Sequence, residues 1–347
     1  MFYIRADANE VIGTGHVMRC LSIAEEMQRQ GETVTFIIAD ERAEELVVSK
    51  GFPVICLHTV WDDLEQELDI LLYIIKEHQI PLLILDSYYV TEYYLQQLRQ
   101  YVRLVYIDDL NSFLYPVDLL INYNIYAAQL DYETRYRQAG LSTEFALGCQ
   151  YAPLREEFKM TKRECRSEVA QIMITSGGTD SYNVIGHLLE CLYKQEWFAD
   201  IQYHIILGRF NQNRKMLEAQ WEKVENVQFH VDVSNISDYM KQCDLAVTAA
   251  GSTVYELCAC GIPSIMYTLA DNQLAIARTI SQMGIMPWAG DVRKELSDCL
   301  ENIIYEIQIL RADKDKRKKL SWNMMQLVDA KGCSRIVEQL KFMKLNL

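Results

Sequence analysis

The chain has 347 residues, 50% hydrophobic and 24% charged, a globular composition long enough for two domains at roughly 150 residues each. Lys and Arg number 34 against 48 Asp and Glu, so the net charge is −14. That acidity excludes broad binding to nucleic acid or anionic membranes, because both need a positive field, but it leaves room for an anion pocket built from backbone N–H groups.

The opening MFYIRADANE carries Arg5 and no apolar core of a signal peptide. The longest apolar runs, ILLYII and PLLIL, fall far short of the roughly 20 residues of a membrane span. Ten cysteines are scattered without a C-x-x-C, the nearest pair being Cys258 and Cys260, and the six histidines form no H-x-x-x-H. Buried thiols in a reducing cytoplasm, with no metal site, are expected.

From the N-terminus, FYIRAD reads as a strand, followed by a glycine loop and a helical period from Met18 to Arg29. TVTFII is the next strand, RAEELVVSKG a glycine-closed helix and PVICL a strand. Asp62 to Glu77 reads as helix, PLLILD as strand, Tyr93 to Tyr101 as helix, and RLVYID and VDLLIN as strands. The rhythm fails from about 123 to 165, where no period is sustained and TKRECRSEVA reads as a charged linker. It restarts with QIMITS, a helix from Tyr182, IQYHIIL, a helix, VQFHV, a short helix near Ser237, and DLAVTAA. A helix from Ser252, the strand PSIMY, a helix from Asn272 and a helical tail after Trp288 complete it.

Alternation of this kind predicts an α/β fold: two Rossmann-like domains with parallel sheets facing a cleft. The expected boundaries are residues 1–158 and 168–335, with a helical tail over 336–347. Asp313 and Asp315 form a D-x-D, but in a lysine-rich run that reads as a solvated helix face.

In such sheets ligands bind beyond the carboxyl ends of strands, at helix starts. At the first junction Gly13 and Gly15 permit a tight turn, His16 opens the helix, and Arg19 lies one turn on, on the same face. An imidazole there suits proton transfer, although capping or packing is the plain alternative. At DLAVTAAGSTVYELCACGIPS, the N–H groups from Gly251, Ser252 and Thr253 offer a diphosphate site, with Glu256 one turn on, within reach of a ribose. Asn272 and Gln273 start the following helix. Gly177 and Gly178 in ITSGGTD form a third N–H-rich loop, or an ordinary turn. Asp86 and Tyr88 end one strand, and Asp108 and Asp109 the next, the latter pair reading equally as caps or catalytic groups.

RADANEVIGTGHVMRC, LILDSYYV, IDDL, ALGCQYAPLREEF, TSGGTD, AAGSTVYELCACGIPS, LADNQ and VDAKGCSRIV together resemble the PseG family of nucleotide-sugar hydrolases in pseudaminic acid biosynthesis, and related spore-coat polysaccharide proteins. The resemblance runs in order from Arg5 to Ile336. It implies a glycosyltransferase-B fold similar to the transferase MurG, with UDP in the C-terminal half. The implied reaction is hydrolysis of UDP-2,4-diacetamido-2,4,6-trideoxy-β-L-altropyranose to free sugar and UDP, without cofactor or metal. By the same resemblance His16 matches the catalytic histidine that handles the attacking water, within the loop of Gly13, Gly15 and Arg19. Ser252 and Glu256 match diphosphate and ribose contacts, Asn272 and Gln273 the sugar or phosphate side, and Tyr88 a tyrosine beside the sugar. Departures occur: Asp86-Ser87-Tyr88 replaces a frequent D-H-Y, and Gly251-Ser252-Thr253-Val254-Tyr255-Glu256 replaces G-S-T-T-W-E. The alternatives are a glycosyltransferase of the same fold, a UDP-sugar 2-epimerase, and a non-catalytic nucleotide-sugar-binding protein. The expected partner is a UDP-sugar, with the protein a monomer or weak homodimer.

Overall fold

The computed structural model describes residues 1–345 apart from 160–164, 179, 209–210 and 234. Part of the expected linker therefore lies outside the described residues. The chain forms two compact units, Met1–Leu154 with Lys331–Leu347, and Arg155–Ala330.

In the first unit, β1 (Phe2–Ala6), α1 (Gly15–Arg29), β2 (Val34–Ile38), α2 (Glu44–Ser49), β3 (Val54–Cys56), α3 (Leu68–Glu77), β4 (Leu82–Asp86), α4 (Glu92–Leu98) and β5 (Arg103–Ile107) alternate as expected. They are followed by β6 (Leu119–Asn122), α5 (Tyr132–Gln138) and β7 (Glu144–Leu147). The second unit contains β8 (Gln171–Thr175), α6 (Val184–Tyr193), β9 (Gln202–Leu207), α7 (Arg214–Trp221), β10 (Val227–Val231), α8 (Ile236–Gln242) and β11 (Leu245–Ala249). It continues through α9 (Thr253–Cys260), β12 (Ser264–Thr268), α10 (Asp271–Gln282), β13 (Trp288–Asp291), α11 (Leu296–Ala312) and α12 (Lys314–Leu327). The last helix, α13 (Gly332–Leu345), returns to the first unit.

Both sheets are parallel, ordered β3-β2-β1-β4-β5-β6-β7 and β10-β9-β8-β11-β12-β13. Successive strands add to one side and then the other, so the strand order reverses between β1 and β4 in the first unit and between β8 and β11 in the second. Those reversals open crevices at the carboxyl ends, where loops diverge onto opposite faces. Strands β1, β4, β11 and β12 are buried throughout, as expected of a sheet covered on both faces.

Three stretches depart from the sequence expectation. Residues 132–138 are helical because Tyr132 and Tyr136, one turn apart, face the core with their hydroxyls bonded to Asp108 Oδ2 and to the Tyr115 N–H. Tyrosine used as core hides the apolar period. β7 is a four-residue edge strand on β6, too short to show alternation. Trp288–Asp291 is a strand, disguised by Gly290 and by a register shift against Met266–Thr268.

The C-terminal residues are not a separate tail after 335: α13 starts at Gly332 and packs on α1. A Cβ at Gly332 would collide with the Ala152 carbonyl oxygen, so glycine is what lets this helix approach the 149–152 turn. Ser334 Oγ donates to Glu26 Oε1 at 2.9 Å and Lys344 Nζ to Glu32 Oε2 at 3.0 Å. Asp313 caps α12 by accepting from Lys316 N, and Asp315 is exposed in its first turn, as a solvated helix start requires. None of the ten cysteines is in a disulfide. Among the described residues no helix is long and apolar enough to cross a membrane, and no cluster of three or more His, Cys, Asp or Glu is placed to hold a metal.

Candidate functional site

In the first unit the β1–α1 loop is shaped by Asn9, whose Oδ1 accepts from the Val11 and Ile12 N–H groups at 2.9 and 3.0 Å. Gly13 then turns the chain at φ 70°, a left-handed conformation that glycine adopts without strain. Helix α1 starts at Gly15, three residues before the period suggests, which puts His16 in its first turn.

His16 is 4% exposed, and its Nδ1 lies 2.6 Å from Asp86 Oδ1 at the end of β4. A carboxylate only accepts, so Nδ1 carries a proton, and in the neutral ring Nε2 presents the lone pair. No described residue bonds Nε2. Arg19 Nη2 also lies 3.1 Å from Nδ1. Both nitrogens are donors in this tautomer, so that proximity follows from their shared partner and is not a bond.

Asp86 is 1% exposed, and both of its oxygens are occupied. Oδ1 also takes Arg19 Nη2 at 2.5 Å, while Oδ2 takes Arg19 Nε at 2.6 Å and the Cys20 thiol at 3.4 Å. Burial opposes its ionisation, but the Arg19 guanidinium and His16 outweigh burial and hold the carboxyl well below the usual range. Arg19 Nη1 donates to Asp109 Oδ2 at 2.6 Å and to the Tyr123 hydroxyl at 2.9 Å. Burial disfavours its charge, yet Asp109 and Asp86 keep it firmly protonated. Asp109 Oδ1 accepts from Asn124 Nδ2 at 3.0 Å. Asp86 and Arg19, expected as ligand contacts, thus have their polar atoms engaged with protein partners and fix the imidazole. Tyr88 is different: 37% exposed, it sets its ring edge against His16 at 4.3 Å between centroids, and its hydroxyl reaches Asp109 Oδ2 at 3.3 Å.

Sequence reasoning missed Tyr123, Asn124 and Cys20, and left Asp109 undecided. The signal for Cys20 and Arg19 was present in helical spacing from His16; nothing local ties Tyr123 or Asn124 to a loop some hundred residues earlier. Asp108 does cap, accepting from the Leu110 and Asn111 N–H groups, but it caps a turn and not a helix.

In the second unit Gly251 and Ser252 join β11 to α9. Ser252 occupies the N-cap position, exposed, with its side chain uncommitted to the cap; the Gly251 N–H donates to the Ala249 carbonyl at 2.8 Å, and the Val254 and Tyr255 N–H groups to the Gly251 and Ser252 carbonyls at 3.1 and 3.0 Å, which leaves the Ser252 and Thr253 N–H groups for a ligand. A Cβ on Gly251 would meet nothing within 4 Å. Half-buried Thr253 opens the helix, and Glu256 follows one turn later with its side chain 20% exposed. Burial pushes the Glu256 carboxyl up to about 7; Arg155, 3.7 Å away, pulls it down, and Glu157 pushes it further up. Arg155 is a neighbour that sequence spacing gave no reason to pair with Glu256.

Across the strand-order reversal, Gly177 has φ 81° and its N–H reaches Thr175 Oγ1 at 3.2 Å. A Cβ on Gly208 would meet Gly178 Cα at 2.7 Å, so Gly208 must stay small, whereas a Cβ on Gly178 would meet nothing within 4 Å. Thr179 lies outside the described residues. At the start of α10, Asn272 is exposed, whereas Gln273 Oε1 accepts from Leu269 N at 2.9 Å and so shapes the loop.

Two parallel α/β units, each with its polar groups at the strand-order reversal, define the class: the fold of the GT-B glycosyltransferases. The chain aligns with MurG of Acinetobacter baumannii over 98% of both chains, with a TM-score of 0.67 at 12% identity. Residues 171–286, the core of the second unit, match the glycosyltransferase family 28 C-terminal domain. Among curated relatives, the chain is 28% identical over 284 residues to the UDP-2,4-diacetamido-2,4,6-trideoxy-β-L-altropyranose hydrolase of Campylobacter jejuni, covering 81% of this chain and 96% of that one. It is 25% identical over 343 residues to the spore coat polysaccharide biosynthesis protein SpsG of Bacillus subtilis, covering 96% and 95%. It is 27% identical over 283 residues to an uncharacterised protein of Methanocaldococcus jannaschii, covering 78% of this chain and 56% of that longer one. The resemblance read from the motifs is therefore upheld across the chain.

Proposed function

We propose that the chain hydrolyses a UDP-linked deoxy-diacetamido sugar, releasing free sugar and UDP, with His16 as the base for the attacking water. The observation that carries this reading is the His16–Asp86 pair: a buried carboxylate fixes Nδ1–H and leaves Nε2 as an acceptor at the β1/β4 reversal. Nε2 takes a proton from water, the water oxygen attacks the anomeric carbon, and the bond from that carbon to the diphosphate oxygen breaks. The departing UDP carries the negative charge, which the N–H groups of Ser252 and Thr253 and the positive end of α9 stabilise. Glu256 accepts from the ribose hydroxyls, Tyr88 borders the sugar, and Asn272 reaches its phosphate side. In the Gly177–Gly178 loop the Gly178 N–H adds a donor.

The second reading is transfer to a sugar or lipid acceptor, which the glycosyltransferase family 28 match favours. A panel of UDP-sugars, led by the altro-configured diacetamido sugar, assayed for UDP release in ¹⁸O-water separates them. Label in the released sugar marks hydrolysis. UDP release only when an acceptor is added, with no label in the product, overturns it. A C2-inverted product would identify an epimerase instead, and binding without turnover a non-catalytic protein.

A further inference from the structure

Asn9 is 6% exposed in the loop that follows β1, seven residues before His16 in the first turn of α1. Two backbone N–H groups, of Val11 and Ile12, fix which of its amide atoms is the oxygen, because an NH2 group cannot accept from them. The NH2 is therefore turned away from the 11–12 backbone. It is buried, and no described residue accepts from it. A buried donor left unpaired costs more than the bond it forgoes, so such a group at a strand-order reversal points to an acceptor that arrives with a ligand.

The charges around it select the kind of acceptor. Arg5, wholly buried on β1, binds Asp7 and Glu67, and Tyr94 donates to Glu67. Asp7 also accepts from the Ala39 N–H at 2.8 Å, tying the end of β1 to β2. With Asp86 and Asp109 on Arg19, these two networks hold four carboxylates against two guanidinium groups. An excess of negative charge disfavours a diphosphate here and leaves a neutral oxygen as the suitable acceptor.

We propose that Asn9 Nδ2 is a specificity-determining donor to a neutral acceptor oxygen, an amide carbonyl or hydroxyl, on the glycosyl part of the nucleotide sugar. This rests on the nucleotide-sugar reading above and adds a sugar contact at a residue to which that reading gives no role. The same amide has two tasks, with its oxygen holding the loop and its nitrogen reading the sugar.

Two variants separate those tasks. In Asn9→Asp a carboxylate still accepts from Val11 and Ile12, but the donor becomes an acceptor. In Asn9→Ser a hydroxyl holds the turn and the NH2 is deleted without added charge. With the UDP-sugar that the wild type cleaves fastest, kcat/KM is expected to fall at least about tenfold in both, more in Asn9→Asp, the size of a lost or inverted hydrogen bond. Affinity for UDP alone is expected to stay within threefold. Values of kcat/KM within threefold of wild type in Asn9→Ser overturn the inference, as does a lowered Tm with unchanged kcat/KM, which would assign the NH2 to a structural water. If the wild type cleaves no UDP-sugar, the hydrolase reading fails by itself, and the variants are compared by calorimetric affinity for the same panel. A wild type that binds no UDP-sugar more tightly than UDP overturns the Asn9 contact as well.

Discussion

Replacing Asp86 by Asn tests the central pair with almost no change of volume. The carboxylate makes two bonds to Arg19, at 2.5 and 2.6 Å, and one to His16 at 2.6 Å. An amide has one acceptor oxygen for these three donors. If that oxygen faces Arg19, the NH2 faces His16 Nδ1, which must then accept, moving the proton to Nε2 and removing the base. If it faces His16, the NH2 is turned on the guanidinium. Either arrangement loses a charged pair. Truncating one partner of a fully buried pair costs ~3–5 kcal/mol. Here Arg19 keeps Asp109 and Tyr123, and the amide keeps one acceptor, so about half that, ~2 kcal/mol, is expected. For a domain of this size that lowers Tm by about 4–8 °C, leaving the protein folded at 25 °C. The effect on kcat is larger, a ~10²–10⁴-fold loss, the usual worth of a general base, or ~3–5 kcal/mol at 1.36 per decade. The assay is UDP release at saturating UDP-sugar, with UDP affinity as the control, since the groups proposed to hold the nucleotide lie in the other unit. Because the two residues act as one device, Asp86→Asn/His16→Ala should be no slower than His16→Ala alone. Turnover of Asp86→Asn within threefold of wild type, or losses that multiply in the double variant, would refute the reasoning.

Gly251→Ala should fold as wild type, since its Cβ meets nothing within 4 Å, yet bind UDP at least about tenfold more weakly where the methyl blocks the helix start, a loss of ~1.4 kcal/mol by calorimetry. Unchanged UDP affinity would remove the α9 start from the nucleotide site. Glu256, with its carboxyl pushed up to about 7, must lose its proton for both of its oxygens to accept from the ribose hydroxyls, so UDP-sugar affinity should rise with pH through about 7 and level off above it. For a single group the ratio between pH 8 and pH 6 is about tenfold, and Glu256→Gln should flatten it; the diphosphate diester has no titration there to confuse the reading. A flat wild-type profile would count against the carboxylate contact.

The alternation of apolar strands and amphipathic helices identified the α/β class and most elements, because buried parallel strands need continuous apolar runs and covering helices need one apolar face. Local motifs also located the glycine turns, His16 at a helix start and the Gly251–Glu256 helix, since turns and helix faces depend on residues a few positions apart. Spacing could not show that Asp86 and Arg19 are spent on His16, that Tyr123 and Asn124 complete that network, or that Arg155 attends Glu256. Apart from Asn124 with Asp109, 15 positions apart, those pairings join residues 67 to 104 positions apart, and only chain crossing at the β1/β4 reversal brings the first set together. The same holds for α13, whose own sequence reads as a detached tail. Its place on α1 is decided by a glycine that admits the Ala152 backbone, and its membership of the first unit is a property of packing alone.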